Sequence, residues 1–121
     1  MPSKATLDAF VARVLSGDHA GAIEDFYAED ASMQENFDPP RVGRDKLVAG
    51  ERATLARFAE VRTELIGKPL VDGDTVLINW AFEFVDEKGK TTRLEEIARQ
   101  EWKGEKVFRE RFYYDPKQMR S

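Results

Sequence analysis

Residues 22–47 read AIEDFYAEDASMQENFDPPRVGRDKL, and the fold is decided inside them. Ala22, Ile23, Phe26 and Tyr27 recur at helical spacing, so a short helix ends in an aromatic pair. Glu29-Asp30 forms an acidic turn. Residues 31–36 then read as a brief strand holding one carboxylate, Glu35. Asp38-Pro39-Pro40 ends that strand, because proline disfavours helical geometry in the residue before it. Gly43 opens another helix.

Upstream, Leu7, Phe10, Val11, Val14 and Leu15 form a clean helical stripe. Ser3 reads as its N-cap, Gly17 as the residue just past its end, and Asp18 as the cap of the next helix. Downstream, a third helix is expected from Gly43 to about Glu60, with Leu47, Val48, Leu55 and Phe58 turned inward. After Glu60 the apolar period changes from helical to alternating. Strands are expected over Val61–Leu70, Thr75–Val85, Thr91–Trp102 and Val107–Tyr114. Asp72-Gly73, Asp86–Lys90 and Gly104-Glu105 supply the turns. Three helices followed by four strands predict an α+β domain, its helices packed on a curved antiparallel sheet. One domain spans 1–121, with a core over about 5–115 and a loose tail at 116–121.

The turns also predict registers. A loop at Asp86–Lys90 sets Phe82 opposite Leu94 and Trp80 opposite Glu96. A two-residue loop at Gly104-Glu105 sets Trp102 opposite Val107, Ala98 opposite Arg111, and Glu96 opposite Tyr113. Trp80, Phe82, Glu96, Arg109, Arg111 and Tyr113 then share the inner face, while Ile97, Phe108, Glu110 and Phe112 lie outside. A slip of one residue exchanges the two sets.

Composition narrows the function. Net charge is −4 with 35% charged residues, which argues against nucleic acid, since that partner demands a basic surface. No cysteine and a single histidine leave no credible metal cluster, and no phosphate-binding loop is present, so no cofactor is expected. The absence of a long apolar run predicts no membrane partner and a cytoplasmic location. Glu96 with Arg109 and Arg111 would either orient a polar ligand or satisfy one another. Trp80, Phe82, Phe84 and Trp102 read as a ligand wall or as plain core. Tyr27 and Tyr113 are candidate hydroxyl donors. His19 reads as a solvated residue near a helix cap.

Taken together, Gly17-Asp18, Ala22-Ile23, Phe26–Ala31, Gly43, the hairpin with Gly104, and Arg111–Asp115 resemble the nuclear transport factor 2-like superfamily. Within it the pattern is most similar to the SnoaL-like polyketide cyclase and ketosteroid isomerase group. The resemblance implies a cone-shaped, cystatin-like roll around a deep apolar pocket, and a homodimer through the outer sheet face. It puts Glu35 at the general-base position. The isomerases' first-helix tyrosine falls at Phe10 or Val11, and their protonated acid falls near Ala98, so ketosteroid isomerase activity itself is not expected. The expected ligand is a small, mostly apolar or carbonyl-bearing molecule. An enzymatic version would be a cofactor-independent isomerase, cyclase or lyase with Glu35 as base. Tyr27, Trp80, Phe82, Glu96, Arg109, Arg111 and Tyr113 would then bind substrate. The alternative is a non-catalytic ligand-binding or dimeric association module.

Overall fold

The computed structural model describes residues 1–119. Helix α1 (Lys4–Leu15) starts where the Ser3 hydroxyl accepts from the Thr6 amide, and it buries Leu7, Phe10 and Val14. Helix α2 (His19–Phe26) is capped by Asp18, whose carboxylate accepts from the Gly21 amide. The chain passes from Phe26 straight into strand β1 (Tyr27–Glu35) without a loop. Strand β2 (Arg41–Val42) folds back on β1, and helix α3 (Arg44–Leu55) follows Gly43, whose φ of 108° suits glycine. The helix stops earlier than its apolar spacing suggests, and Phe58 packs beyond its end against Phe84, ring centroids 4.9 Å apart.

The expected strand over Val61–Leu70 is two strands. β3 (Glu60–Leu65) and β4 (Leu70–Asp72) are separated by Gly67 at φ 74° and by Pro69, which carries no amide for a ladder. Both pair antiparallel with β5 (Thr75–Val85). Strands β6 (Thr91–Lys103) and β7 (Lys106–Tyr113) continue the sheet, whose order is β2-β1-β7-β6-β5-β3 with β4 also on β5. The β1–β7 pair is parallel, so the sheet is mixed rather than wholly antiparallel. The three helices lie over one face, and the core between them includes Phe10, Ile23, Leu47, Ile78, Trp80 and Trp102.

The residues at the start of the expected tail are docked. Pro116–Met119 form a 3-10 turn, and the Gln118 side-chain amide bonds both the Glu95 amide (2.9 Å) and the Glu95 carbonyl (3.0 Å). Gln118 thereby occupies the β6 edge past the last β7 partner, Tyr113. The remainder of that tail, 120–121, lies outside the described residues.

One irregularity reassigns the faces of the last hairpin. Trp102 pairs with Val107 as expected, but Glu101 pairs with Arg109. Phe108 is the extra residue of a β-bulge. From there every pair shifts by one: Ala98 faces Phe112, Arg99 faces Arg111, and Ile97 faces Tyr113. Arg109, Arg111 and Tyr113 are therefore on the outer face, and Glu110 and Phe112 are on the inner one. The β5–β6 registers, including Trp80 with Glu96 and Phe82 with Leu94, are as expected.

Candidate functional site

Helices and sheet leave a cavity of about 170 Å³ between them. Its wall is aromatic: Phe10 from α1, Trp80, Phe82 and Phe84 from β5, and Phe112 from β7. The β5 rings run as a tilted series, Trp80 to Phe82 at 6.3 Å and Phe82 to Phe84 at 6.1 Å. This follows from the strand period of two, which sends alternate side chains of β5 to the same face. Four carboxyl side chains, Glu35, Glu51, Glu96 and Glu110, interrupt the apolar lining.

Glu35 ends β1 and is half-exposed. Its carboxylate forms an ion pair with Arg41 at 3.3 Å. Its position is fixed by the next residue: Asn36 has φ 50°, a conformation that asparagine tolerates better than most residues. The Asn36 amide donates to the Phe112 carbonyl (2.8 Å), and its side-chain oxygen accepts from the Tyr114 amide (3.0 Å).

Glu96 has the opposite surroundings. It is only 8% exposed, lines the cavity between Trp80 and the helices, and has no hydrogen-bond partner among the described residues. Burial, with the nearby charges of Glu110, Glu35 and Glu51, pushes its pKa up to about 8. Its carboxyl is thus protonated at neutral pH.

Glu110 sits deeper. It accepts from the Tyr27 hydroxyl and from the Gln100 amide (2.6 Å), and Gln100 in turn accepts from the Trp102 indole (3.1 Å). Burial raises its pKa to about 7, against the opposing pull of the Tyr27 and Gln100 hydrogen bonds. The Tyr27 hydroxyl is pushed well above its ordinary value, first by burial and then by the Glu110 charge.

Five of the sequence-selected residues come together here: Glu35, Tyr27, Trp80, Phe82 and Glu96. Arg109, Arg111 and Tyr113 do not. The Phe108 bulge puts them on the far side of the sheet, so neither arginine is a partner for Glu96. His19, expected in solvent, is buried. Its ring packs 5.3 Å from Phe82 and its nitrogens meet Thr63 Oγ1 (2.7 Å) and Glu51 (3.5 Å). Sequence reasoning missed Glu110, Phe112 and Glu51. A signal for the first two existed: Arg109 and Arg111 alternate with Glu110 and Phe112, and two arginines two apart suit the solvent side of a strand. Among the described residues no group of acidic and histidine side chains is placed to hold a metal ion.

The order of elements, the mixed sheet and the cavity under three helices lead to a family. The model of the SnoaL-like domain matches residues 7–110. The chain belongs to the SnoaL-like domain family. Solved structures of similar fold include a protein assigned as a SnoaL-like polyketide cyclase from Mesorhizobium loti. It is 23% identical, with 91% of this chain and 97% of that one covered and a TM-score of 0.75. One assigned as a polyketide cyclase from Xanthomonas campestris is 19% identical over 95% and 91% of the two chains, with a TM-score of 0.77. A nuclear transport factor 2-like protein of unknown function from Burkholderia pseudomallei is 12% identical over 95% and 92%, with a TM-score of 0.79. A search of curated proteins found no match. No helix among the described residues is long and apolar enough to cross a membrane.

Glu96 lies two residues before Ala98 on β6, so both side chains point to the same face of the sheet.

Proposed function

We propose that this SnoaL-like protein moves a proton within a small, carbonyl-bearing molecule held in its cavity, as an isomerase or tautomerase. The reading rests on one observation: Glu35 and Glu96 line the same cavity in opposite environments. A partly solvated, ion-paired carboxylate facing a buried carboxyl is the usual arrangement of a base and an acid. Glu35, partly solvated and beside Arg41, takes a proton from the carbon next to the carbonyl. Glu96, buried and protonated, donates a hydrogen bond to the carbonyl oxygen as negative charge develops there. Return of the proton from Glu35 to a second carbon completes an isomerisation, and neither residue is consumed. Trp80, Phe82 and Phe112 hold the apolar body of the substrate, and Tyr27 acts only through Glu110.

Size limits the substrate. A cavity of about 170 Å³ is close to the ~150 Å³ that accommodates a benzene ring, so the favoured substrates are single-ring or short branched ketones and enones. The reaction can be tested with simple ketones in place of the natural compound. Cyclic ketones are incubated with the protein in heavy water, and deuterium entry next to the carbonyl is followed by NMR. The expected result is exchange catalysed by the wild type and lost by at least 100-fold in Glu35→Gln, with unchanged folding. Equal exchange by wild type and Glu35→Gln would overturn the assignment of the base. Thermal stabilisation by these ketones in both proteins, with no exchange in either, would favour the binding module instead.

A further inference from the structure

The outer face of the sheet carries a second hollow, of about 370 Å³, and it is polar. Three guanidinium groups, Arg99, Arg109 and Arg111, share it with Ser32 and Gln34. This is a basic patch on a protein of net charge −4.

The arrangement is unfavourable as it stands. Arg99 and Arg111 are directly paired across β6 and β7. Side chains of such a pair start roughly 5 Å apart, and like charges there repel. The carboxylate in the hollow, Glu101, is taken by Arg109 at 3.1 Å. Arg99 has no ion-pair partner among the described residues. Arg111 gives its Nε–H to the Asn36 carbonyl (2.7 Å), a neutral acceptor. Its guanidinium stacks on the Phe37 ring at 4.4 Å and on the Tyr113 ring at 4.7 Å, and its Nη2 is buried with no acceptor. Buried donors are ordinarily paired, so an orphaned one asks for an explanation. Aromatic stacking also holds the Arg111 plane in one orientation, ready for a fork-shaped hydrogen bond. Strand β1 adds uncharged polar groups: Ser32 is the partner of Arg109 and Gln34 the partner of Arg111.

We propose that this hollow binds a small oxyanion, a carboxylate or phosphate group, between Arg99 and Arg111, with Ser32 and Gln34 as further donors. The anion lies between the two guanidinium groups and offsets the repulsion of their like charges. The site lies on the opposite face of the sheet from the cavity, so it stands independently of the reaction proposed above. The same face carries the exposed Ile97 and Tyr113, but the two arginines stand beside them, which suits a charged occupant better than an apolar one.

The full chain, labelled with nitrogen-15, is titrated separately with inorganic phosphate and with acetate, against sodium chloride at matched ionic strength. The arginine Nε–Hε signals are followed. The expected result is saturable movement of the Arg99 and Arg111 signals with phosphate, acetate or both, and none with chloride. Saturation by phosphate alone assigns a phosphorylated ligand, and by acetate alone a carboxylated one. Arg99→Gln, at an exposed position, is expected to weaken binding at least tenfold with an unchanged melting temperature. Movement no larger than that caused by chloride, or an Arg99→Gln protein that titrates like the wild type, would overturn the proposal. So would sedimentation showing a dimer that Arg99→Gln loosens, since the hollow would then receive a carboxylate from a second copy.

Discussion

The Tyr27 hydroxyl donates to the Glu110 carboxyl at the inner end of the cavity, although the two residues are 83 positions apart. The bond ties the start of β1 to β7 where those strands run parallel, and Gln100 and Trp102 extend it into β6. Tyr27→Phe removes the donor and leaves a buried carboxyl with one fewer hydrogen bond. The expected cost is ~1–3 kcal/mol in a urea titration. Because that bond favours the charged form of Glu110, the same variant is also expected to raise the Glu110 pKa above about 7, read by carbon-13 NMR of the carboxyl.

Stability is expected to fall as the solution becomes more alkaline. Glu96 and Glu110 titrate near 8 and 7 in the folded protein but near the ordinary 4.5 in the unfolded chain. Between those values the folded state binds more protons, so folding is favoured at the acidic end and loses ground as pH rises from about 4.5 to about 8. Glu96→Gln is neutral throughout. It is expected to flatten this decline and to be more stable than the wild type above pH 8. Denaturant midpoints measured at pH 5, 6.5 and 8.5 for both proteins check the sign.

The fold was legible because local signals agreed with one another. Helical stripes, the Ser3 and Asp18 caps, the Pro39-Pro40 break and the turn glycines all act over a few residues, and the sequence displays them directly. The cavity wall on β5 followed from alternation, and Glu96 opposite Trp80 from the short turn at Asp86–Lys90. What failed was long in range. Counting back from the Gly104 turn assumes a regular ladder, and the Phe108 bulge breaks it, so Arg109, Arg111 and Tyr113 were placed on the wrong face. The burial of His19 depends on Glu51, Thr63 and Phe82 arriving from three other elements, which no local pattern encodes. The parallel β1–β7 pair is likewise a tertiary event.

Asn36 is expected to control the placement of Glu35. Asn36→Ala loses the bond to the Tyr114 amide and puts a Cβ-bearing residue with no compensating hydrogen bond at φ 50°. The expected loss is about 1–3 kcal/mol, from the orphaned amide and the strained backbone together. Asn36→Gly, which accepts that φ freely, is expected to lose less. Comparing the two melting temperatures separates the backbone contribution from the hydrogen bond.

Gln118 is expected to protect the β6 edge. Its amide side chain bonds the Glu95 backbone in both directions, as a neighbouring strand residue would. Gln118→Ala should speed hydrogen exchange of the Glu95 amide by at least tenfold while leaving the Trp102 amide, which donates to Asp74 elsewhere, unaffected.

Phe108 has a consequence for how this hairpin tolerates change. Its ring lies under Lys103 Nζ at 4.5 Å and beside the Arg109 guanidinium at 5.3 Å, so the extra residue is packed rather than loose. Yet it has no partner of its own in the ladder. Excising it would join Val107 to Arg109 and leave Trp102–Val107, Glu101–Arg109 and every later pair as they are. In genetic terms, position 108 is where a codon can come or go without Glu110 and the two arginines of β7 changing sides.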